Sequence, residues 1–344
     1  MNIVVLCGGL SPEREVSISS STMVCNALLD RGHRAVMVDS FLGLPEFDGD
    51  FDALFAGAKK LPPYTVSPEE PNLAKIKALR TAEGDTDTIG RNVVALCKYA
   101  DIVYIGLHGN GGENGDIQGY FDNRGIRYTG TNAEGCRMAM DKWVSKRIFN
   151  EFGVTTPRGA LLKKGEPIRY DSLPLPAVVK PCSGGSSIAT TIVRDRSLLQ
   201  PAIELAFKQE DRVLVENLIE GREFAVGVLG EEALPVIEIL PKAGFYDYRN
   251  KYIAGLTREV CPANIEPKYR ELLQTMAIKG FAALKLQVYA RFDFILTPEG
   301  RAFCLEGNTL PGMTPTSLLP QEAAAAGIDY PSLCERIIKL SLEK

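Results

Sequence analysis

Between Ala290 and Ser317 the chain reads A-R-F-D-F-I-L-T-P-E-G-R-A-F-C-L-E-G-N-T-L-P-G-M-T-P-T-S, and apolar positions alternate with polar ones through its first part. Phe292, Phe294 and Leu296 fall on one face of an extended segment, Arg291 and Asp293 on the other, as in a half-buried strand. Thr297-Pro298-Glu299-Gly300 is turn chemistry and Ala302 to Leu305 is apolar again, which predicts a β-hairpin. A turn centred on Glu299 and Gly300 sets Asp293 opposite Glu306, with Asn308 two residues further along the same face. Two carboxylates that close repel each other unless a cation lies between them. Oxygen donors of this kind suit Mg²⁺ completed by water and phosphate; the plainer reading is a solvated polar strand face.

Elsewhere the same patterning predicts strands at Ile3 to Cys7, Arg34 to Val38, Asp101 to Leu107, Ile126 to Thr129, Pro174 to Lys180, Arg212 to Glu216 and Phe224 to Val228. Helical spacing is expected over Val16 to Leu29, Ala133 to Phe152, Tyr269 to Leu286, Gln321 to Ala326 and Tyr330 to Leu342. In the Ala133 to Phe152 segment, Met138, Trp143, Ile148 and Phe149 are the core candidates, with Lys142, Lys146 and Arg147 on the polar side. The first strand-loop-helix-strand unit predicts a doubly wound α/β domain with a parallel sheet, its ligand face at the strand carboxyl ends. It closes near Gly130. Residues 42–90 are proline-rich and weakly patterned, so loops with one helix near Leu73 to Arg80 are expected. Residues 240–263 have little periodicity, and so long a loop reads as a lid with Lys251 and Tyr252 as its working residues.

Composition narrows the class. At 344 residues two or three domains are the natural expectation. A net charge of −4 and an isoelectric point near 5.5 argue against a nucleic-acid surface or a basic membrane tail. The amino terminus enters a strand without a basic leader, and nothing approaches the run of about 18 apolar residues that a membrane span requires. Eight cysteines without C-x-x-C spacing read as reduced core residues, which favours the cytoplasm.

Several loops carry candidate chemistry. G-G-L-S-P-E-R-E-V-S follows the first strand and is neither G-x-G-x-x-G nor a P-loop. Glu13 and Glu15 there either cap the helix or grip a ligand ammonium. His108 ends a strand before the glycine-rich G-N-G-G-E-N-G, where it either braces the loop or transfers a proton. K-P-C-S-G-G-S-S joins two strands; its N–H groups could wrap a polyphosphate beside Lys180, though Gly-Gly-Ser-Ser also makes an ordinary hairpin. Glu216 and Glu223 bracket a linker suited to adenine and ribose, or else form surface salt bridges.

Taken together, G-G-x-S-x-E-R-E-V-S, H-G-x-x-G-E-x-G-x-x-Q-G, K-P-x-x-x-G-S-S, R-x-D-F and E-x-N-T-x-P-G-M-T resemble, in order and over nearly the whole chain, the D-alanine:D-alanine ligases. The resemblance implies an ATP-grasp fold: an α/β domain over residues 1–130, a central subdomain over 131–216, and a catalytic subdomain over 217–344 with the lid at 240–263. It implies that ATP phosphorylates one D-alanine and that a second attacks the acyl phosphate, for peptidoglycan precursor synthesis. Asp293, Glu306 and Asn308 would hold two Mg²⁺ ions, or Mn²⁺. Arg291 and the Gly312 N–H would be the oxyanion donors. Lys142, Lys180 and Lys251 would meet the ATP phosphates, with Glu216, Asn217 and Glu223 at adenine and ribose. Glu13, Ser186 and Tyr252 would orient the first D-alanine, His108 would lie near its carboxylate, and Ser317 with Leu318 would take the second carboxylate. The resemblance also suggests a homodimer.

This sequence departs from the family pattern at Asn114, Ala189 and Gly307, and in the lid after Tyr252. The departures leave D-serine or D-lactate open as second substrate. A non-catalytic ATP-binding regulatory protein is the alternative from another class.

Overall fold

The computed structural model describes residues 1–47, 49–67, 71–109, 111–185, 188–242 and 257–344. Its first sheet is parallel and has the order β2-β1-β3, from β1 (Asn2–Cys7), β2 (Arg34–Asp39) and β3 (Ile102–Ile105). Continuous apolar runs suit strands covered on both faces. Ile3, Val4, Val5 and Leu6 have no exposed surface. The expected strand at Ile126 to Thr129 is reduced to a single parallel bridge between Val103 and Tyr128. The Arg14–Asp30 helix packs on this sheet. So does the last helix, Tyr330–Leu342, whose Leu333, Cys334, Ile337 and Ile338 join the first core from the far end of the chain.

The second sheet is antiparallel, in the order β4-β7-β5-β6, from β4 (Gly159–Lys163), β5 (Ala177–Pro181), β6 (Thr191–Val193) and β7 (Arg212–Asn217). The third carries β8 (Arg222–Leu229), β9 (Glu232–Ala233), β10 (Ile237–Pro241), β11 (Thr257–Val260), β12 (Tyr289–Leu296) and β13 (Ala302–Asn308). Its path is β11-β10-β8-β12-β13, with β9 beside β8.

The period-two pattern of β12 decides which face of this third sheet is core. Phe292, Phe294 and Leu296 pack with Phe224, Val226 and Val228 against Leu273, Met276 and Ala277 of the Pro267–Ala283 helix. Burying each phenylalanine contributes about 1.5–3 kcal/mol. The opposite face, bearing Arg291 and Asp293, is left for chemistry. The Leu318–Ala325 helix lies over β8 and β10, where Leu318 packs on Ala225, Ile237 and Ile239.

Four local expectations need correction. Residues 42–90 contain a second helix, Phe51–Ala56, whose start is capped by the Asp50 carboxylate accepting from the Ala53 N–H at 2.9 Å. The helix expected from Ala133 to Phe152 is two, Ala133–Met140 and Lys142–Glu151. Between them Asp141 takes an extended conformation, and its carboxylate accepts from the N–H groups of Trp143 and Val144. Lys142 and Lys146, placed on a solvated face by periodicity, are buried, and Trp143 is only half-buried. Finally, residues 240–263 are not all loop, because β10 extends to Pro241 and Thr257–Val260 pairs with it as β11.

Candidate active site

The hairpin has the register its sequence predicts. Asp293 pairs with Glu306 and Arg291 with Asn308, while a bulge between Asp293 and Phe294 shifts the ladder beyond. The charges are compensated by the chain's own cations. Arg291 donates to both oxygens of Asp293, at 2.7 and 2.9 Å, and the Lys142 ammonium lies 3.1 Å from Glu306. The Asn308 side-chain oxygen accepts from the Leu310 N–H at 2.9 Å.

Lys142 opens the second helix of the split pair and reaches across to the glycine-rich turn, donating to the Gly184 carbonyl at 2.7 Å. Burial alone would lower its pKa, but Glu306, together with Glu113 and Glu216, outweighs burial and raises it. One turn later, Lys146 donates to Glu216 at 2.6 Å and to the Thr156 hydroxyl at 2.8 Å. Lys180 lies 2.5 Å from the other oxygen of Glu216. Glu216 is therefore not a surface carboxylate but the centre of a buried two-lysine cluster. Burial pushes its pKa up; Lys180 and Lys146 outweigh that and hold it below the ordinary value. A cleft of about 360 Å³ opens beside this cluster, lined by Lys180, Glu216, Asn217, Glu223, Asp293 and Glu306 among others. It lies between the second and third sheets, with apolar walls from Ile188, Ile192, Leu218 and Phe294.

A second cavity of about 370 Å³ shares Lys142, Gly184, Gly185 and Glu306 with the first and continues to the amino-terminal sheet. Glu13, His108, Arg291, Asn308, Gly312, Ser317 and Leu318 line it. Glu13 stands at the start of the Arg14–Asp30 helix but makes no capping hydrogen bond with its side chain. Its carboxylate faces Gly109 on one side and Gly185 on the other. Glu15 turns away and accepts from the Tyr64 hydroxyl at 2.5 Å. The His108 ring lies 3.6 Å from Glu113, whose carboxylate also accepts from the Gly109 N–H. Burial opposes a charge on His108, yet Glu113, then Glu13 and the Leu310 carbonyl, raise its pKa. Ser317 caps the Leu318–Ala325 helix by position, and its hydroxyl lies 2.7 Å from that of Thr314. Ser186, Lys251 and Tyr252 lie outside the described residues.

Paired carboxylates and an arginine line one cavity, a buried lysine joins it to a cleft between the second and third sheets, and the chain that builds both matches known proteins over nearly its whole length. Residues 2–131 match the family model described as D-ala D-ala ligase N-terminus, and residues 161–339 match D-ala D-ala ligase C-terminus. The D-alanine–D-alanine ligase of Pediococcus pentosaceus is 40% identical over 341 residues, 98% of this chain and 97% of that one. The chain belongs to the D-alanine–D-alanine ligase family. The corresponding ligase of Lacticaseibacillus casei is 38% identical, covering 100% of this chain and 96% of that protein. Among solved structures, the Bacillus anthracis D-alanine–D-alanine ligase superposes with a TM-score of 0.78 at 31% identity, covering 100% and 98% of the two chains. The same enzyme complexed with ATP gives 0.75 at 29%. The fold is ATP-grasp.

In and around these cavities, three groups were not singled out from sequence. Lys146 read as surface because its partner, Glu216, is 70 residues away. Glu113 was one acid in a glycine-rich loop. Glu322 sits on an alanine-rich helix, wholly buried, with one oxygen accepting from the Gly227 N–H at 2.8 Å and the other without a hydrogen-bond partner among the described residues. Burial holds its carboxyl well above the ordinary value. Gly227 pairs with Arg291 across the strands, and a methyl there would meet Leu319 and the Glu322 carboxyl at 2.5 and 2.9 Å.

Two of the departures from the family pattern, Gly307 and Asn114, have local explanations. A methyl on Gly307 would come 2.8 Å from the Phe292 ring, so glycine lets β13 pass over that core side chain. Asn114 bonds within its own turn, to Asp116. Ala189, just after the glycine-rich turn, has φ +53°, a left-handed conformation that costs a residue with a Cβ about 1–2 kcal/mol, and nothing in the structure explains alanine there.

Proposed function

We propose that the two connected cavities are the nucleotide and amino-acid halves of one site, and that the chain is an ATP-dependent ligase that joins two D-alanines into D-alanyl-D-alanine for peptidoglycan precursor synthesis. The observation that carries this reading is the wall the cavities share: Lys142 and Glu306 face both. A phosphoryl group leaving a nucleotide in one cavity would arrive at a carboxylate held in the other.

In this reading adenine and ribose meet Asn217, Glu216 and Glu223, and the phosphates lie under the glycine-rich turn against Lys142 and Lys180, with Lys251 as a further phosphate contact. Glu13 takes the ammonium of the first D-alanine, with Ser186 and Tyr252 in support, and His108 stands near its carboxylate. The second D-alanine presents its carboxylate to Ser317 and the Leu318 N–H, where the helix dipole favours negative charge. Phosphorylation turns the first carboxylate into an acyl phosphate; the second amine attacks its carbonyl, and phosphate leaves. Arg291 and the Gly312 N–H stabilise the oxyanion formed in that attack. No side-chain nucleophile is required, because substrate supplies both reacting groups.

The oxygen donors Asp293, Glu306 and Asn308, adjacent across β12 and β13, suit Mg²⁺ or Mn²⁺ shared with phosphate oxygens. Bound there, the ions would neutralise charge developing on the transferred group. The chain divides, in this proposal, at about residues 130 and 216, works as a homodimer, and acts in the cytoplasm. Among the described residues no helix is long and apolar enough to cross a membrane.

The test is phosphate release by the purified protein with Mg²⁺ and ATP. Release that requires D-alanine, with D-alanyl-D-alanine as product, is expected. ATP binding without D-alanine-dependent release overturns the enzyme reading. A mixture of D-alanine, D-serine and D-lactate identifies the second substrate from the products.

A further inference from the structure

Behind His108 lies a small enclosed cavity, separate from the two already described, with about 10 Å³ of room for the centre of a water molecule. That is about the space one water requires. Its wall includes Ser20 of the Arg14–Asp30 helix, Tyr104 of β3, His108, and Tyr289 at the start of β12. Three of these residues carry a buried polar atom that makes no hydrogen bond of normal length and angle among the described residues, Ser20 Oγ, Tyr104 OH and His108 Nε2, with the Tyr289 hydroxyl beside Tyr104 and the Leu310 carbonyl beside the His108 ring as polar neighbours. Their exposures are 1%, 1% and 7%. A buried polar atom left unpaired costs about 1–3 kcal/mol, and three lining one polar cavity point to a shared partner.

We infer that one ordered water occupies this cavity, bonded to Ser20 Oγ, Tyr104 OH and His108 Nε2, and that Ser20 and Tyr104 are positioning residues that hold the His108 ring through it. The inference deepens the proposed function, since it rests on that reading for the role of His108 toward the first D-alanine. The ring is then fixed from both sides. Glu113 lies 3.6 Å from Nδ1, and the water engages Nε2. Ordering both nitrogens sets the ring's orientation and decides where its N–H groups point, as partners of a functional histidine do. The hydroxyls suit the task because each both donates and accepts, so the water completes three bonds whichever way the ring is protonated. Apolar Val24, Ile105 and Met313 close the cavity and keep bulk solvent from exchanging freely with it.

The experiment uses the full chain in two arms. In a high-resolution crystal structure, a water peak within hydrogen-bond distance of all three atoms is expected; a dry cavity, or His108 Nε2 bonded directly to protein, overturns the inference. The chain has only two histidines, so nitrogen-15 spectra of histidine-labelled protein resolve His108 against His33 as an internal control. Ser20→Ala and Tyr104→Phe are each expected to move the His108 Nε2 resonance and leave those of His33 in place; unmoved resonances in both variants overturn it. Tyr104→Phe keeps the ring and its packing, so it carries the test where Ser20→Ala folds poorly. With the water shown, either variant is expected to raise the KM for D-alanine by about two- to tenfold with kcat nearly unchanged. An unchanged KM beside a shifted resonance overturns the positioning role, while the water itself stands and His108, still held by Glu113, keeps its assignment to the first D-alanine.

Discussion

Lys146 Nζ and Glu216 Oε2 lie 2.6 Å apart, both side chains are almost fully buried, and the second oxygen of the same carboxylate is held by Lys180 at 2.5 Å. One carboxylate thus ties the helix that carries Lys142 to the sheet that carries the glycine-rich turn. Removing one partner of a buried ion cluster costs more than the cluster contributes, because the remaining charges stay desolvated.

Glu216→Gln is therefore expected to destabilise the chain by about 3–5 kcal/mol, read as a lower urea midpoint at neutral pH. The acid side of the stability profile checks the cause. Glu216 has a depressed pKa in the fold, so its contribution is complete above the unfolded value of 4.5 and drains away as pH falls through the lower folded value. Wild type and Glu216→Gln should converge in that acid window, whereas a gap that persists there would assign the loss to packing.

Asp293→Asn and Glu306→Gln keep shape and hydrogen-bonding capacity but remove a charge from the polar hairpin face. Turnover is expected to fall roughly a hundredfold in each, equivalent to about 2.7 kcal/mol of transition-state stabilisation, with a much smaller change in melting temperature. Steady-state rates over a Mg²⁺ titration check this. Near-normal turnover in both variants would remove these residues from the metal assignment.

Gly307→Ala places a methyl 2.8 Å from the Phe292 ring, between Glu306 and Asn308. A loss of about 1–3 kcal/mol is expected from overpacking, with reduced activity because both neighbours move with the strand. Phe292→Leu in the same chain should recover part of the loss. A double variant no better than the sum of the singles would show that the ring is not the obstacle.

Glu322 predicts the opposite pH trend to Glu216. Its folded pKa is raised by burial, so folding at neutral pH must take up a proton, and wild-type stability falls as pH rises from the unfolded value of 4.5 toward the folded one. Glu322→Gln still accepts from the Gly227 N–H but carries no such cost. The variant is expected to gain on wild type as pH rises from 5 to 8, measured by denaturant titration at each pH. A constant difference would mean that the carboxyl is not neutral in the fold.

Local pattern carried the hairpin and much of the sheet order's raw material. Alternation from Arg291 to Leu296 and a Thr-Pro-Glu-Gly turn specify which residues face each other, because a strand's side chains alternate and a short turn sets the register. That is why Asp293 and Glu306 could be paired from sequence alone. The Lys142 helix shows where such reasoning stops. Helical periodicity assigns a lysine to the solvent side, and only carboxylates distant in sequence, Glu306 and Glu216, make burial of two ammonium groups tolerable.

By itself, then, the sequence determined the main strands and helices of the first and third sheets, the hairpin register and the family, since each is written in short-range spacing or in motifs of several residues. Tertiary structure alone decided that Lys146 is buried against Glu216, that Glu322 is buried beside Gly227, that the last helix returns to the first sheet, and that Ser20, Tyr104 and His108 face one cavity. The physical reason is the same in each case. Charge compensation, burial and hydrogen-bond satisfaction depend on partners brought together by packing, and no local pattern encodes which distant partner will arrive.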